Sequence, residues 1–272
     1  MKKLFCGLLT AAVAFCLLAC PPALAYDGDE IIGTVDTLIR GNTEPGSCVD
    51  ETDLGDVTAD ALRAVSGTDV AIVNGGELCA NLQAGQCSWA DILAVFEENK
   101  TLAVADVTPA QLWRLLEYGV SYAVLGADEK TDAENSSFEG FPQVSGLIVQ
   151  YDLSAPAGER IMYVKLADGR ALESADEDTR ITLCATEYML SGGYGYENVA
   201  SESLNLGLAD ALADYIAGNT LGLPDSSRIR TIGSYDKPLI SRVSVFLVAL
   251  AICVLSFCIN KVRRSQKKEN EL

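Results

Sequence analysis

The chain has 272 residues, a formal net charge of −18, 49% hydrophobic residues and no histidine. A surface this acidic repels nucleic acid and anionic lipid. Without histidine no Ser-His-Asp or Cys-His nucleophile system can be assembled and zinc has no imidazole ligand, which removes most hydrolase chemistries.

In chain order, residues 1–25 read as a secretory signal: Lys2 and Lys3, an apolar run from Leu4 to Leu18, and the small-residue site Ala23-Leu24-Ala25 before Tyr26. Leu17-Leu18-Ala19-Cys20 offers an alternative, lipoprotein-like processing site before Cys20. Both readings export the chain. Residues 26–236 then form one exported domain, with 36 Asp or Glu against 11 Lys or Arg. Its cysteines are Cys48, Cys79, Cys87 and Cys184. An even number in an oxidising compartment favours two disulfides. Cys79 and Cys87 can staple the segment between them, leaving Cys48 with Cys184, one of three pairings open to four cysteines.

Residues 30–35 read as a strand and are followed by a polar loop to Asp50. Leu54, Val57, Ala61, Leu62 and Val65 recur at helical spacing, with Asp53 as expected N-cap and Gly67 as stop. Asp53, Asp56 and Asp60 on that helix are explained by capping and a solvated face. Residues 69–73 form a buried strand that ends in the turn Asn74-Gly75-Gly76, whose backbone N–H groups could meet an anion. Glycines that allow positive φ and an Asn that closes a turn explain the same residues structurally. Ser88 caps a helix over 89–96, residues 101–107 alternate as a strand, and Thr108-Pro109-Ala110-Gln111 makes a capping box with Pro at the first helical position. An acidic loop spans 128–139; strands follow at 146–151, 162–166 and 181–185, and an amphipathic helix at 204–217. The order mixes β-α-β units with hairpins, so the body is expected to be a single α/β domain with mixed sheets.

Residues 239–260 are long and apolar enough to span a bilayer, and Lys261, Arg263, Arg264, Lys267 and Lys268 follow. Clustered cations stay on the cytoplasmic side. The expectation is therefore a single-pass cell-membrane protein with an extracytoplasmic body and a cytoplasmic tail over 261–272.

Seven segments in register carry a resemblance: Thr52-Asp53-Leu54-Gly55-Asp56, Val73-Asn74-Gly75-Gly76, Ser88-Trp89-Ala90-Asp91-Ile92, Val107-Thr108-Pro109-Ala110-Gln111-Leu112, Phe141-Pro142-Gln143-Val144-Ser145-Gly146-Leu147, Gly158-Glu159-Arg160-Ile161 and Ser191-Gly192-Gly193-Tyr194-Gly195-Tyr196. Together they resemble the C-terminal, substrate-binding domain of the 5′-nucleotidase and UDP-sugar hydrolase family over roughly residues 30–233. In that family an N-terminal metallophosphatase domain supplies two metal ions, and the C-terminal domain holds the nucleoside. The resemblance implies a substrate-binding half without the catalytic half, with no cofactor of its own. Divalent metals would enter only through a separate metallophosphatase chain.

On the family's pattern, Tyr196 takes the place of a base-stacking ring and is expected as an exposed platform, while Tyr194 stands where the family has Asp. Asn74, Gly75 and Gly76 persist from its phosphate-side turn, but Glu77 replaces a glycine and Cys79 an arginine. The first stacking ring is lost: Glu98 falls on its position, and Phe96 reads as core. The family's upstream arginine falls near Asp50 or Glu51 here. Losing a charge-assisted contact costs about 1.5–3 kcal/mol, so the two arginine losses remove decades of affinity. Two expectations follow. One is a membrane-anchored accessory to nucleotide catabolism that binds nucleoside or nucleotide, hydrolyses nothing alone and serves a separate metallophosphatase. The other is a diverged, non-enzymatic surface module for another ligand or a protein partner.

Overall fold

The computed structural model describes residues 26–41, 46–122, 137–217, 220–224 and 227–232. The expected signal (1–25), span (239–260) and basic tail (261–272) lie outside the described residues, as does most of the expected acidic loop. Among the described residues no helix is long and apolar enough to cross a membrane.

Strand β2 (Val70–Asn74) is buried at every position. Val70 and Ile72 join one hydrophobic cluster while Ala71 and Val73 join another. A strand covered on both faces must be apolar throughout rather than alternating, which is why this run reads as it does. It belongs to a five-stranded sheet, with β10 (Glu202–Gly207), β4 (Thr101–Val107), β9 (Ile181–Thr186), β2 and β5 (Pro142–Ser145) in spatial order. Only the β2–β9 pair is parallel, so the sheet is mixed as expected.

One face carries α1 (Asp53–Ser66) and α5 (Leu208–Ile216), whose Leu54, Ala61, Leu62, Leu208, Leu212 and Ile216 are buried in the second cluster. The other face carries α3 (Pro109–Val120) and a four-stranded sheet ordered β12 (Ile229–Ile232), β6 (Leu147–Asp152), β7 (Ile161–Leu166) and β8 (Ala171–Leu172). A small sheet of β11 (Thr220–Leu221), β1 (Ile31–Val35) and β3 (Gly85–Ser88), the short helices α2 (Trp89–Leu93) and α4 (Glu187–Leu190), and 3-10 turns at Gly75–Glu77 and Gly193–Gly195 complete the described elements.

Local chemistry sets the element ends. Thr108 and Gln111 close the expected capping box in both directions, at 3.1 and 2.9 Å. Thr52, not Asp53, caps α1: its extended backbone lets its hydroxyl accept from Gly55 N–H, while Asp53 is already helical. Helix α2 stops at Leu93 rather than 96, because Val95 and Phe96 turn back to pair with Cys79 and Leu78.

The expected helix over 204–217 starts only at Leu208. Residues 202–207 instead pair antiparallel with β4, and the register shifts between Ser203 and Gly207 around Asn205 at φ 52°. The first amides of α5 are satisfied from one neighbouring loop: Leu208 N–H donates to the Lys100 carbonyl at 3.0 Å and Ala209 N–H to Asn99 Oδ1 at 2.8 Å. That junction fixes where Lys100 sits.

Candidate functional site

The turn after β2 is built by close backbone approach. A Cβ on Gly75 would lie 1.9 Å from the Ser47 carbonyl oxygen, so glycine is obligatory there. Gly75 N–H donates to the Phe141 carbonyl and Gly76 N–H to the Glu139 carbonyl, both at 2.7 Å, and Ser47 Oγ donates to the Gly75 carbonyl at 2.7 Å. Asn74 is wholly buried, its Nδ2 donating to the Gly140 carbonyl at 3.1 Å while Oδ1 finds no partner. Thus Asn74, Gly75 and Gly76 tie β2 to the 138–141 loop, and the two glycine amides are already spent.

Glu77, the next residue, is fully buried. A carboxylate there needs a complete set of partners. Lys100 Nζ reaches both its oxygens, at 3.0 and 2.8 Å, and Tyr194 Oη donates to Oε1 at 2.9 Å. The ammonium also lies 5.0 Å from the Tyr188 ring centroid and 5.7 Å from that of Tyr194, within cation–π range. Tyr188 and Tyr194 meet edge to face at 5.0 Å. Burial alone would lower the Lys100 pKa, but the Glu77 hydrogen bond and charge outweigh it and the pKa is raised. Burial and then Glu77 push the Tyr194 phenol up, so it stays a donor.

Tyr194 is held in a left-handed conformation, φ 54°. A non-glycine residue persists there only when its surroundings over-determine it. Tyr118 Oη supplies one restraint, donating to the Tyr194 carbonyl at 3.0 Å, and Glu77 supplies the other.

Tyr196 is a correction. It is 4% exposed, its hydroxyl donates to the Gly140 carbonyl at 2.6 Å, and its ring meets Tyr118 edge to face at 5.0 Å. Far from an exposed platform, it belongs to the core. Phe96 is buried as read, and Glu98 is exposed. The exposed ring at this site is Tyr188, 45% accessible, which the sequence reading missed along with Lys100. The available signal was Tyr188's place on the short helix that leads into the glycine segment.

The solvated-face reading of α1 also needs correction. Asp56 is buried and Asp60 half-buried, and both face Arg228, whose Nη2 donates to Asp60 Oδ2 at 2.6 Å. Burial and then Glu51 push the Asp56 pKa up to about 8, against the opposing pull of Arg228.

No disulfide joins Cys48, Cys79, Cys87 or Cys184. Cys184 lies inside β9, opposite Val104 and Ala71, and Cys87 lies in β3 opposite Gly33. Both are buried inside paired strands, whereas Cys48 sits in a loop and Cys79 is exposed, so neither expected pair forms.

Comparison with known proteins places this geometry. The family model described as 5′-nucleotidase, C-terminal domain, matches residues 31–201. The chain is 30% identical over 189 residues to the trifunctional nucleotide phosphoesterase protein YfkN of Bacillus subtilis (strain 168), covering 67% of this chain and 12% of that protein. It is 27% identical over 158 residues to a 5′-nucleotidase-related protein of Glossina morsitans morsitans, covering 54% of this chain and 26% of that one. The chain thus spans a minor part of the curated relatives it matches. Among solved structures, the 5′-nucleotidase precursor from Thermus thermophilus superimposes with a TM-score of 0.65 at 23% identity, over 75% of this chain and 40% of that one, a likeness of fold. With that model matching more than half of its length, the chain belongs to the family of 5′-nucleotidase C-terminal domains and has the mixed α/β fold of that domain.

Proposed function

We propose that the protein is a membrane-anchored, extracytoplasmic accessory of nucleotide catabolism that recognises the nucleoside part of a phosphoester substrate without hydrolysing it. The observation that carries this reading is the Tyr188–Tyr194–Lys100 cluster beside the Asn74-Gly75-Gly76 turn: a half-exposed ring with a cation held in place next to it. A π face of this kind suits a base. The chain has no histidine, and two-metal phosphoester chemistry in this family rests on His and Asp ligands, so hydrolysis is assigned to a separate metallophosphatase chain that brings its own divalent metals. The signal over 1–25 and the span over 239–260 with its basic tail support the anchored placement.

A second reading, a diverged surface module for another ligand or a protein partner, is favoured by the spent Gly75 and Gly76 amides and by buried Tyr196. Calorimetric titration with adenosine separates the two. Binding that is lost in Tyr188→Ala supports base recognition; no heat with adenosine, guanosine, cytidine or uridine favours the second reading. Phosphate release from AMP by the purified chain with Mn²⁺, above a metal-only control, would refute the non-hydrolytic assignment.

A further inference from the structure

Lys100 lies over the two rings, and it is already engaged: both Glu77 oxygens lie within 3.0 Å of Nζ, and Glu77 has no exposed surface. An incoming phosphate could recruit Lys100 only by leaving Glu77 buried without its counter-charge, the costliest way to break such a pair. The surrounding charge points the same way. Glu97 and Glu98 act on Lys100 together with Glu77, and Glu139 acts on Tyr194. Three carboxylates around the ammonium and a fourth beside Tyr194 give an approaching anion a repulsive field. The two turn glycines offer no alternative, since the Gly75 and Gly76 amides donate to the Phe141 and Glu139 carbonyls.

Nothing in this arrangement penalises an uncharged aromatic. Tyr188 is 45% exposed, and its ring is braced edge to face by Tyr194 and polarised by the ammonium 5.0 Å from its centroid.

We infer that the Tyr188–Tyr194–Lys100 site takes the uncharged nucleoside and rejects the same molecule bearing a phosphate, with Glu77 as the residue that sets this preference. The inference rests on the base recognition proposed above and moves it from the substrate to the product: the chain holds the dephosphorylated nucleoside that hydrolysis releases rather than the phosphoester. Repulsion of this kind is a specificity device, a difference of affinities made by an unfavourable contact with the wrong ligand.

The test titrates the full chain in detergent micelles with adenosine and with AMP. Adenosine is expected to bind at least tenfold more tightly than AMP, and Glu77→Gln to narrow that gap at least threefold. Should Glu77→Gln not fold, raising the salt on the wild-type chain replaces it: screening should bring AMP closer to adenosine and leave adenosine unchanged. AMP binding as tightly as adenosine to the wild-type chain overturns the inference and leaves base recognition standing. No binding of either ligand defeats base recognition, and the inference with it.

Discussion

At the end of β2 one buried carboxylate meets one ammonium and one phenol, and every charged oxygen of Glu77 has a partner between 2.8 and 3.0 Å. Beside α1 three carboxylates gather around Arg228: Glu51 accepts from the Arg228 and Ile229 backbone amides and from Ser227, Asp60 takes the guanidinium, and Asp56 Oδ1 has no hydrogen bond and lies 3.8 Å from Arg228 Nη1. Both clusters tie distant parts of the chain together, Glu77 to Tyr194 across 117 positions and Asp60 to Arg228 across 168. They differ in balance. Where partners match the charge, burial yields a fixed structural pair; where carboxylates outnumber the cation, one of them is left to take up a proton.

Removing the cation from the balanced cluster should do the most harm. Lys100→Met leaves Glu77 buried and unpaired, and urea denaturation should show a loss of about 3–5 kcal/mol. Replacing both partners, Glu77→Leu with Lys100→Met, should restore most of this, short of roughly 1–2 kcal/mol for the Tyr194 hydroxyl left without its acceptor. A double variant no more stable than the single one would show that the pair contributes through something other than its charges.

The unbalanced cluster should instead reveal itself through pH. Asp56 has a folded pKa of about 8, above its ordinary 3.8, so the folded protein holds this proton more tightly than the unfolded chain. Its contribution to stability is complete below the unfolded pKa and is lost as pH rises towards the folded one. Between pH 6 and 8 the loss should approach about 1.4 kcal/mol per pH unit, roughly 2–3 kcal/mol in all. Asp56→Asn should flatten that slope, while Lys100→Met should leave it in place. Wild-type stability that rises over this range would contradict the assignment.

These clusters also mark how far the sequence could be read. Thr108-Pro109-Ala110-Gln111 and the all-apolar β2 were legible because their causes are local: a capping box closes within three residues, and a strand covered on both faces has no polar alternation. The β10 strand was misread because Leu204, Leu208 and Leu212 recur at helical spacing, although a bulge at Asn205 separates the first from the others. At the site, Glu77 was legible as a lost glycine but not as a paired carboxylate, since its partners arrive from 23 and 117 positions away. Tyr196 misled for a related reason: a motif gives the residue type, while the Gly140 carbonyl and the Tyr118 ring decide that it faces inward.

A smaller effect separates the two tyrosines. Tyr196→Phe keeps the buried ring and removes one donor from the Gly140 carbonyl, which Asn74 Nδ2 still serves, so the stability cost should be roughly 0.5–1.5 kcal/mol with adenosine binding untouched. Tyr188→Ala should do the reverse, changing stability by no more than about 0.5 kcal/mol and abolishing adenosine binding. Loss of binding in Tyr196→Phe alone would return the platform to Tyr196.

Smallest in energy, though sharp in outcome, is the behaviour of the thiols. Burial raises the pKa of Cys184, and burial with Asp91 that of Cys87, in each case to about 11, so about one molecule in a thousand carries the thiolate at pH 8 even before access is considered. Cys79 is exposed and Cys48 half-buried, so alkylation depends there on access more than on the core opening. Iodoacetamide labelling of the native chain, followed by peptide mass mapping, should modify Cys79 first, then Cys48, and reach Cys87 and Cys184 only in denaturant. A Cys79–Cys87 linked peptide from non-reduced protein would show instead that the turn after β2 and strand β3 come together in a way this fold does not provide, and it would place the Glu77 cluster next to a covalent staple.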